Sequence, residues 1–230
     1  ASVDGPLVIA IDSSTTSTKA IIVDVEGNVI SLGRREIALL SPEQGFGEHD
    51  PRQWWTSTRD AVAQALAQLT PAEKERIAAF GITHQRESFA PFAADGTPLR
   101  NGILWLDIRA ADQILRYGTP EIHALSGRPA DVTPGLYKMA WLKENEPESL
   151  AKADKVTTVS AYIAFCLTGK WVDSTACSDS LGLFDIAKLD YDDGLLQIAG
   201  VRREQMADLV KPGQVLGTLK KSVAEEWGIG

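Results

Sequence analysis

The sequence predicts an α/β domain in which helices flank a mixed β-sheet. Short apolar runs rich in β-branched residues open the chain, and a well-marked amphipathic helix follows them. Further strand and helix patterns then alternate toward the carboxyl end. In sheets of this kind the ligand site lies at the ends of the strands, so polar residues that directly follow a strand are the first candidates for a site.

Three strands are predicted near the amino end. Residues 7–11 form a continuous apolar run, which indicates a strand buried on both faces. Residues 20–25 and 29–32 form two more runs, and the turn residues Gly27 and Asn28 join them. A turn this short connects antiparallel neighbours, so the chain is expected to open with three antiparallel strands.

The first helix is predicted to begin at Asp50. This residue is a favourable N-cap, Pro51 suits the first helical position, and Gln53 stands three residues after the cap, as in a capping box. Four apolar side chains recur at helical spacing and are expected to pack on the sheet: Trp55, Val62, Leu66 and Leu69.

The remaining elements alternate between strands and helices. A buried strand is predicted at 77–83, and the polar segment from His84 to Glu87 follows it directly. Shorter strands are expected at 89–93, 103–105, 156–159 and 215–217. Helices are expected at 109–117, 134–144 and 161–167, the last of them stopped by Gly169.

Composition excludes several classes of protein. The chain has 230 residues and a formal net charge of -8, which argues against a protein whose main task is to bind nucleic-acid phosphates. Cys166 and Cys177 are the only cysteines, so they are expected to be free thiols rather than part of a disulfide framework or metal site. No apolar run approaches the ~20 residues that cross a bilayer. These features favour a cytoplasmic protein that acts on a small molecule, with neither nucleic acid nor membrane as a partner.

The segment between the first two strands carries an unusual run of hydroxyl groups. Every residue from Ser13 to Thr18 is serine or threonine, with Asp12 before the run and Lys19 after it. Backbone N–H groups and hydroxyls of such a turn can hold phosphate oxygens, while Asp12 can hold Mg²⁺ directly or through water. The alternative is a polar hairpin tip. The sequence G-x-x-x-x-G-K-[ST] of a Walker loop is absent.

The segment from Ile11 to Lys19 resembles the first phosphate motif of the FGGY carbohydrate kinases, the family that holds glycerol kinase and xylulokinase. Four further segments occur in the family's order: 48–51 with Trp54 and Trp55, 81–87, 103–109, and Gly169-Lys170 with Asp173. The resemblance spans roughly residues 8–228. In combination these motifs are highly specific.

This resemblance implies the actin-like ATPase fold, which is ribonuclease H-like, and transfer of the γ-phosphoryl group of ATP to a substrate hydroxyl with Mg²⁺. Asp12 matches the acidic residue near the metal and is the catalytic and metal-binding candidate in this chain. The residues that match nucleotide-phosphate contacts are Thr15, Thr16, Ser17 and Lys19. The substrate contacts are expected among Gln85, Arg86, Glu87, Trp105, Asp107 and Arg109.

The chemistry of these residues agrees with a polyol site. A polyol offers only hydroxyls, each both donor and acceptor, so Arg86 beside Glu87 can fix neighbouring hydroxyls while Trp105 covers the C–H face. Taken alone, Arg86-Glu87 would more often be a surface ion pair. Its position after a buried strand, together with Trp105, favours a functional role.

Two departures from the family pattern affect ligand binding. Ser14 stands where the family usually has glycine, so the turn either needs no positive φ there or is slightly reshaped. Thr133 stands where glycerol kinase has an aromatic substrate contact, which leaves room for a longer substrate. The resemblance gives a mixed substrate signal, since Asp107 and Arg109 resemble a xylulokinase stretch while residues 83–87 are closer to glycerol kinase. The favoured substrate is a pentulose such as xylulose, with glycerol as the alternative.

The domain prediction assigns residues 7–230 to the amino-terminal domain of such a kinase and treats 1–6 as disordered or as a remnant of expression. The general base and the adenosine pocket are expected on a second domain, so the isolated 230-residue chain is expected to be inactive. Asp173, Asp179 and Asp185 are not assigned as the base because their flanks do not match. A homodimer is one open alternative. Two rival functions are a non-catalytic actin-like nucleotide-binding module and a plain sugar-binding domain.

Overall fold

The computed structural model describes residues 4–230, and it contains both predicted element types in alternation. In chain order, the elements of the first half are β1 (Leu7–Ser13), β2 (Ser17–Val23), β3 (Val29–Glu36), β4 (Glu48–His49), α1 (Arg52–Leu66), α2 (Pro71–Lys74), β5 (Ile77–His84), β6 (Phe89–Phe92), β7 (Gly102–Ile103) and α3 (Ala111–Tyr117). Those of the second half are α4 (Pro120–Ser126), α5 (Gly135–Asn145), α6 (Pro147–Ala151), β8 (Lys155–Thr158), α7 (Val159–Thr168), β9 (Val172–Ser174), α8 (Thr175–Ser178), β10 (Phe184–Asp185), β11 (Asp190–Tyr191), α9 (Asp193–Ala199), β12 (Asp208–Val210) and α10 (Lys221–Trp227).

The first sheet has four strands in the order β3-β2-β1-β5. The pairs β1–β2 and β2–β3 are antiparallel, which confirms the predicted opening of three antiparallel strands. Strand β5 runs parallel to β1, so the sheet is mixed. Its register places Ser13 opposite His84, and the carboxyl ends of both strands therefore meet at one edge of the sheet.

One face of this sheet carries the packing against α1. Burial alternates along β1, with Leu7, Ile9 and Ile11 buried and the intervening residues half-buried. The prediction that residues 7–11 are buried on both faces is therefore wrong, and so is the prediction of a buried strand at 77–83. Strand β5 lies at the edge of the sheet and is exposed at alternating positions such as Gly81 and Thr83.

The opposite edge of the sheet is closed by one side chain of α1 and one from the segment directly after it. Gln64 Oε1 accepts a hydrogen bond from Arg34 N over 2.9 Å, and Gln68 Nε2 donates to Leu32 O over 2.7 Å. Both backbone groups belong to β3, the outermost strand. Their occupation limits pairing of this edge with another strand.

Helix α1 begins slightly differently from the prediction. Arg52 is its first residue, Pro51 is the cap, and the carboxylate of Asp50 accepts a hydrogen bond from Arg52 N over 3.0 Å. The predicted capping box does not form, because Gln53 Oε1 instead accepts from Ala38 N over 2.8 Å. Trp54 is the fully buried tryptophan, which the periodicity had assigned to its neighbour Trp55.

A second sheet and two small ones complete the strands. The second sheet has the order β4-β7-β6-β8, and the small ones pair β10 with β11 and β12 with β9. Helix α7 ends as predicted at Gly169, which has a φ of 79°. The expected strand at 215–217 is wrong, since the strand of this region lies earlier, at Asp208–Val210.

Two apolar cores hold these elements together. The first lies between the sheet β3-β2-β1-β5 and the helices α1, α7 and α10. The second surrounds α5 and α9. They meet at β6, where Phe89 belongs to the second core while Ala90 and Phe92 belong to the first. Strand β6 therefore links the two halves of the domain.

Three further sequence predictions concern the chain's surface and ends. Residues 1–3 lie outside the described residues, whereas the Gly5 carbonyl accepts a hydrogen bond from Arg76 Nε over 2.7 Å. Cys166 and Cys177 are free within the described chain, and burial raises the pKa of the Cys166 thiol to about 12. Between residues 4 and 230, no helix has the length and apolar character needed to cross a membrane.

The close contact between β3 and α1 generates a stability prediction. A Cβ on Gly33 would lie 1.9 Å from the Ala61 carbonyl oxygen of α1, so a larger residue must push the helix away from the sheet. Gly33→Ala is expected to lower the free energy of unfolding by roughly 1–3 kcal/mol or more, measured by urea denaturation of this chain.

Gly81→Ala is the matched control, because Gly81 lies in the same sheet and no described atom stands within 4 Å of the position that a Cβ would take there. Its free energy of unfolding should change by less than about 0.5–1 kcal/mol. Equal losses in the two variants would contradict the proposed contact.

Candidate functional site

The connection between β1 and β2 is a turn of residues 14–16. Its backbone is closed by a hydrogen bond in which Ser14 N donates to Ser17 O over 2.9 Å. Among the described non-glycine residues, only Glu87 and Leu189 have a positive φ. The turn therefore accepts Ser14 in place of glycine without backbone strain.

The hydroxyl-rich run divides into a buried and an exposed part. Ser17 and Thr18 are buried, and Thr18 Oγ1 lies 2.7 Å from Ser57 Oγ of α1. Thr15 and Thr16 lie at the tip of the turn, half-buried and exposed respectively. The buried hydroxyls fix the turn on α1, which leaves the tip available to a ligand.

Asp12 and Lys19 flank this turn. They are directly opposite each other in the antiparallel register of β1 and β2, so both side chains stand on one face of the sheet. Ser14 Oγ donates to Asp12 Oδ1 over 3.0 Å. A carboxylate, an amine and turn N–H groups in this arrangement suit a phosphate with a bound cation.

A pocket of about 270 Å³ opens beside the turn. Its lining combines residues from the β1–β2 turn, from the end of β5 and from the segment after β7: Asp12, Ser14, Thr15, His84, Gln85, Arg86, Glu87 and Trp105. The structure thus brings the predicted metal residue, one predicted phosphate contact and four predicted substrate contacts to one cavity. The other predicted site residues, Thr16, Ser17, Lys19, Asp107 and Arg109, are not part of this lining.

Trp105 joins the turn of residues 14–16, which is the predicted phosphate turn, to the predicted substrate wall. Its indole Nε1 donates to Thr15 Oγ1 over 2.9 Å, and its backbone N donates to Ser88 Oγ over 3.0 Å. Trp105 is 39% exposed and lines the pocket, so part of it is accessible to a ligand. An aromatic face of this kind can cover the C–H side of a sugar.

The Arg86–Glu87 pair stands on a strained turn. Glu87 has a φ of 67°, a conformation that costs a non-glycine residue free energy and often marks a functional site. Its backbone N donates to Ser180 Oγ over 3.2 Å. Arg86 Nη2 lies 2.8 Å from Asp179 Oδ1. Contacts from the 179–180 segment therefore hold both residues of the pair.

A buried network supports this wall from behind. Gln85 Oε1 accepts from Ser88 Oγ over 2.8 Å, and Gln85 Nε2 lies 3.3 Å from His49 Nδ1. Trp54 Nε1 donates to the same His49 nitrogen over 3.0 Å. Burial lowers the pKa of His49 to about 4, against a weaker opposing interaction with the Thr15 carbonyl, so the imidazole is neutral at pH 7. Its Nδ1 accepts from Trp54 and lies beside Gln85, so the imidazole supports the wall from behind.

Asp107 and Arg109 lie deeper still. Asp107 is fully buried, and its carboxylate accepts from Gly47 N and from Arg109 Nη2, each over 2.7 Å. Arg109 also lies 2.7 Å from Glu48 and packs against the ring of Phe46 with 3.9 Å between its Cζ and the ring centre. The prediction that Asp107 and Arg109 contact substrate therefore loses its geometric support, because each is enclosed by protein partners.

Burial also shifts the pKa of Glu48. Desolvation raises this pKa, but the hydrogen bond from Arg109 and the charge of Arg100 outweigh it and hold it below the usual value. The carboxylate thus stays charged and pairs with both arginines, at 2.7 Å and 3.1 Å. This network anchors β4 to the segment that carries Trp105.

His84 lines the pocket, and its Nδ1 lies 2.6 Å from the Gln85 carbonyl oxygen. Burial lowers its pKa, while Asp173 and Asp12 act in the opposite direction. Asp173 is itself buried and accepts hydrogen bonds from four groups: Thr158 Oγ1, Ser160 Oγ, Ser178 Oγ and Ser174 N. With its oxygens bound in this way, Asp173 joins β8, β9 and α8. The sequence did not assign Asp173 as the general base, and these contacts give it a structural role.

Lys138 is a buried lysine that the sequence analysis did not single out. It lies on α5 with no exposed surface, and its Nζ donates to the carbonyls of Leu104 over 2.8 Å and Trp105 over 2.9 Å. Burial lowers its pKa to about 7, although the carboxylates of Asp107 and Glu87 oppose this shift. Lys138 therefore fixes the backbone that presents the Trp105 ring.

Sequence reasoning missed several other supporting residues. His49 lay inside a motif but was given no role, while Ser88, Arg128 and Asp179 were not assigned to the site at all. A lysine among apolar residues of a predicted helix was the one available signal for Lys138. The others depend on contacts between residues far apart in the chain, such as Arg86–Asp179, which periodicity cannot reveal.

Asp12 is the residue of the pocket that is suited to hold Mg²⁺ together with a bound phosphate. Among residues 4–230 no group of three or more histidine, cysteine, aspartate or glutamate side chains could enclose a metal. Asp12 lines the pocket as a single carboxylate. Mg²⁺ keeps several waters and is commonly held by one or two carboxylates together with substrate phosphates, so Asp12 beside a bound phosphate fits this ion.

Lys138→Met generates a pH-dependent prediction. The folded pKa of about 7 lies below the ordinary value of 10.5, so between these pH values the unfolded chain binds a proton that the folded chain does not. Stability of the wild-type chain should therefore rise from pH 7 toward pH 10 through this group. In Lys138→Met the slope should fall by up to about 1.4 kcal/mol per pH unit, measured by urea denaturation at several pH values.

At pH 9 the variant should also be less stable by roughly 1–3 kcal/mol, because two buried carbonyls lose their donor. Lys143→Met is the control, since Lys143 lies on the same helix with an exposed side chain. Identical pH slopes for wild type and Lys138→Met would refute the lowered pKa.

Comparison with known proteins assigns the family. The model of the amino-terminal domain of the FGGY family of carbohydrate kinases matches residues 7–230. A glycerol kinase from Thermococcus gammatolerans is 34% identical over 223 residues, which cover 94% of this chain and 45% of that protein. A xylulose kinase from Streptomyces rubiginosus is 34% identical over 230 residues, which cover 95% of this chain and 45% of that protein.

Solved structures agree with this assignment. The crystal structure of a gluconate kinase from Lactobacillus acidophilus superposes with a TM-score of 0.91 at 26% identity, and the match covers 98% of this chain and 46% of that one. This confirms the predicted α/β, actin-like fold. The chain spans about half the length of the relatives it matches. Since the family model covers residues 7–230, the chain belongs to the FGGY family of carbohydrate kinases and corresponds to their amino-terminal domain.

Proposed function

We propose that the natural protein containing this chain transfers the γ-phosphoryl group of ATP to a hydroxyl of a small sugar or polyol. One observation carries the proposal: the phosphate turn and the Arg86–Glu87 pair line a single pocket, and Trp105 bonds directly to Thr15 across it. Phosphoryl transfer requires chiefly that two substrates be held in line and that their charge be neutralised. A shared pocket satisfies the first requirement.

On the nucleotide side, the turn of residues 14–16 is proposed to bind ATP phosphates. Thr15 supplies a hydroxyl in the pocket, while Thr16, Ser17 and Lys19 remain proposed contacts through the turn and the strand that follows it. Asp12 is proposed to hold Mg²⁺, which would neutralise phosphate charge when bound. Asp12 is thus a positioning group, and we assign no general base within residues 7–230. By themselves these residues are therefore proposed to be inactive.

On the acceptor side, Arg86 and Glu87 are proposed to bind neighbouring hydroxyls, with Gln85 and Trp105 completing the wall. The favoured acceptor is a pentulose such as xylulose. Thr133 is half-buried and smaller than an aromatic residue, so it would leave more space for the acceptor. The 34% identity to a xylulose kinase supports this choice, and the equal identity to a glycerol kinase keeps glycerol as the alternative.

A non-catalytic nucleotide-binding module would need only the phosphate turn. It would give no reason for an exposed aromatic face and a strained Arg86–Glu87 turn on the opposite side of the pocket. Use of ATP supports a cytoplasmic location. A homodimer remains a proposal that leaves the pocket unchanged.

Arg86→Ala tests the acceptor wall in the full-length natural protein. The KM for the sugar is expected to rise roughly tenfold to a hundredfold, because a charge-assisted hydrogen bond is lost, while the KM for ATP changes little. The measurement is a coupled ADP-release assay with xylulose, ribulose, xylitol and glycerol. Arg34→Ala is a matched control, since both arginine side chains are 46% exposed and each forms an ion pair. Equal effects on the KM for the sugar and the KM for ATP would contradict the assignment of Arg86 to the acceptor wall.

Asp12→Asn tests the metal position. This change keeps the side chain's size but removes its charge, so kcat is expected to fall roughly a hundredfold, with a smaller effect on the KM for the sugar. The assay is run across a Mg²⁺ titration, and the variant should need more Mg²⁺ than the wild type. Asp60→Asn, an exposed member of an ion pair with Arg59, is the control. Near-normal turnover at saturating Mg²⁺ would show that Asp12 only ends the strand.

A further inference from the structure

Four charged side chains form one cluster beside the pocket: Arg86, Glu87, Arg128 and Asp179. Asp179 uses one carboxylate oxygen for each arginine, with Oδ1 2.8 Å from Arg86 Nη2 and Oδ2 3.1 Å from Arg128 Nη2. Arg128 Nη1 also lies 3.6 Å from Glu87 Oε1. Arg128 and Asp179 therefore connect the two proposed hydroxyl-binding residues from outside the pocket lining.

The backbone keeps this cluster in place. Asp179 begins a short 3-10 turn, Asp179–Leu181, directly after α8. The next residue, Ser180, accepts the backbone N–H of Glu87 and donates to the Cys177 carbonyl. The same segment thus contacts the Arg86–Glu87 turn twice, through the hydroxyl of Ser180 and through the carboxylate of Asp179.

The cluster is electrically balanced. Two arginines carry two positive charges and Asp179 and Glu87 carry two negative charges, so the wall presents no net charge. Asp179 and Arg128 are about one-fifth to one-quarter exposed, at 20% and 24% of their side-chain surfaces, so screening by water is reduced. A ligand carboxylate would find Arg86 already paired and Glu87 repulsive, whereas a hydroxyl can donate to Glu87 and accept from Arg86 without breaking the Asp179 contact.

We propose that Asp179 and Arg128 are specificity-determining residues, which make this wall select an uncharged sugar or polyol over a sugar acid. The inference rests on the proposed function. Neither residue lines the pocket, so both act through Arg86 and Glu87 rather than by direct contact with substrate. A merely structural role would alter all substrates alike, whereas this role changes the preference between neutral and anionic acceptors.

The test measures kcat/KM with saturating ATP in the full-length natural protein. The acceptor pairs are D-xylulose against D-xylonate and glycerol against D-glycerate, and the readout is the neutral-to-acid ratio. Asp179→Asn gives the cluster one positive charge, so this ratio should fall about tenfold, near the lower limit for one charge-assisted contact. Arg128→Gln gives it one negative charge, so the ratio should rise or stay at its maximum. The double variant restores neutrality and should return the ratio toward the wild-type value.

Asp190→Asn is the control, because Asp190 forms an ion pair with Arg203 that contains none of the cluster residues. Thermal melts accompany every variant. A wild-type enzyme that uses the acids as well as the neutral acceptors overturns the inference, as does a parallel loss for both acceptors in Asp179→Asn with no change in ratio. If Asp179→Asn fails to fold, the ratio in the double variant and in Arg128→Gln decides. Failure of the wild type to phosphorylate any acceptor would instead refute the proposed function.

Discussion

The parallel pairing of β1 with β5 creates the geometry on which the candidate site depends. It sets Ser13 opposite His84, and Gln85 N continues the pairing by donating to Ser13 O over 2.8 Å. The two turns that follow these strands must then lie side by side. One carries the hydroxyls that are proposed to bind phosphate, and the other carries Arg86 and Glu87. Without this pairing, segments about seventy residues apart in sequence would have no reason to share a pocket.

The wall that faces the pocket is polar, yet its support is built from buried charges. Glu48, Arg109 and Asp107 form a closed network, and Lys138 donates to two carbonyls beneath Trp105. Burying charges is costly, and such a network is a weak source of stability. Its effect is instead directional, because each partner must stay in position to keep the others satisfied. The ring of Trp105 is thereby oriented by contacts that no ligand needs to supply.

Local signals in the sequence were sufficient for most elements of the fold. The apolar runs at β1 and β2 and the glycine at 169 each act through neighbouring residues, and the structure confirms them. The errors arose where tertiary contacts override local preference. Gln53 left the expected capping box to bind Ala38, and β5 became an edge strand because sheet order, which no local pattern encodes, placed it outermost.

The same distinction applies to the site. Polar residues at the end of a strand or directly after it could be found from the sequence. Asp12, Arg86 and Glu87 were chosen in this way, and all three line one pocket. Asp107 and Arg109 were chosen by the same motif logic, but the chain turns inward after Trp105, and Leu104 N and Ile108 N bond to the segment of Gly45 and Gly47. Arg109 therefore pairs with Glu48, while Asp107 binds Gly47 N and Arg109. Proximity in sequence to a site residue was a poor guide once the backbone changed direction.

The two sides of the pocket face opposite electrostatic demands. A bound nucleotide would bring several negative charges, which the amine of Lys19, N–H groups of the turn and a cation at Asp12 are proposed to meet. A polyol brings none, so a free arginine opposite the turn would attract a second phosphate as readily as a sugar. Pairing Arg86 with Asp179 removes that competition while it leaves hydrogen-bonding capacity in the guanidinium. The charge balance of the wall thus supports the proposal that it distinguishes an uncharged acceptor from a nucleotide.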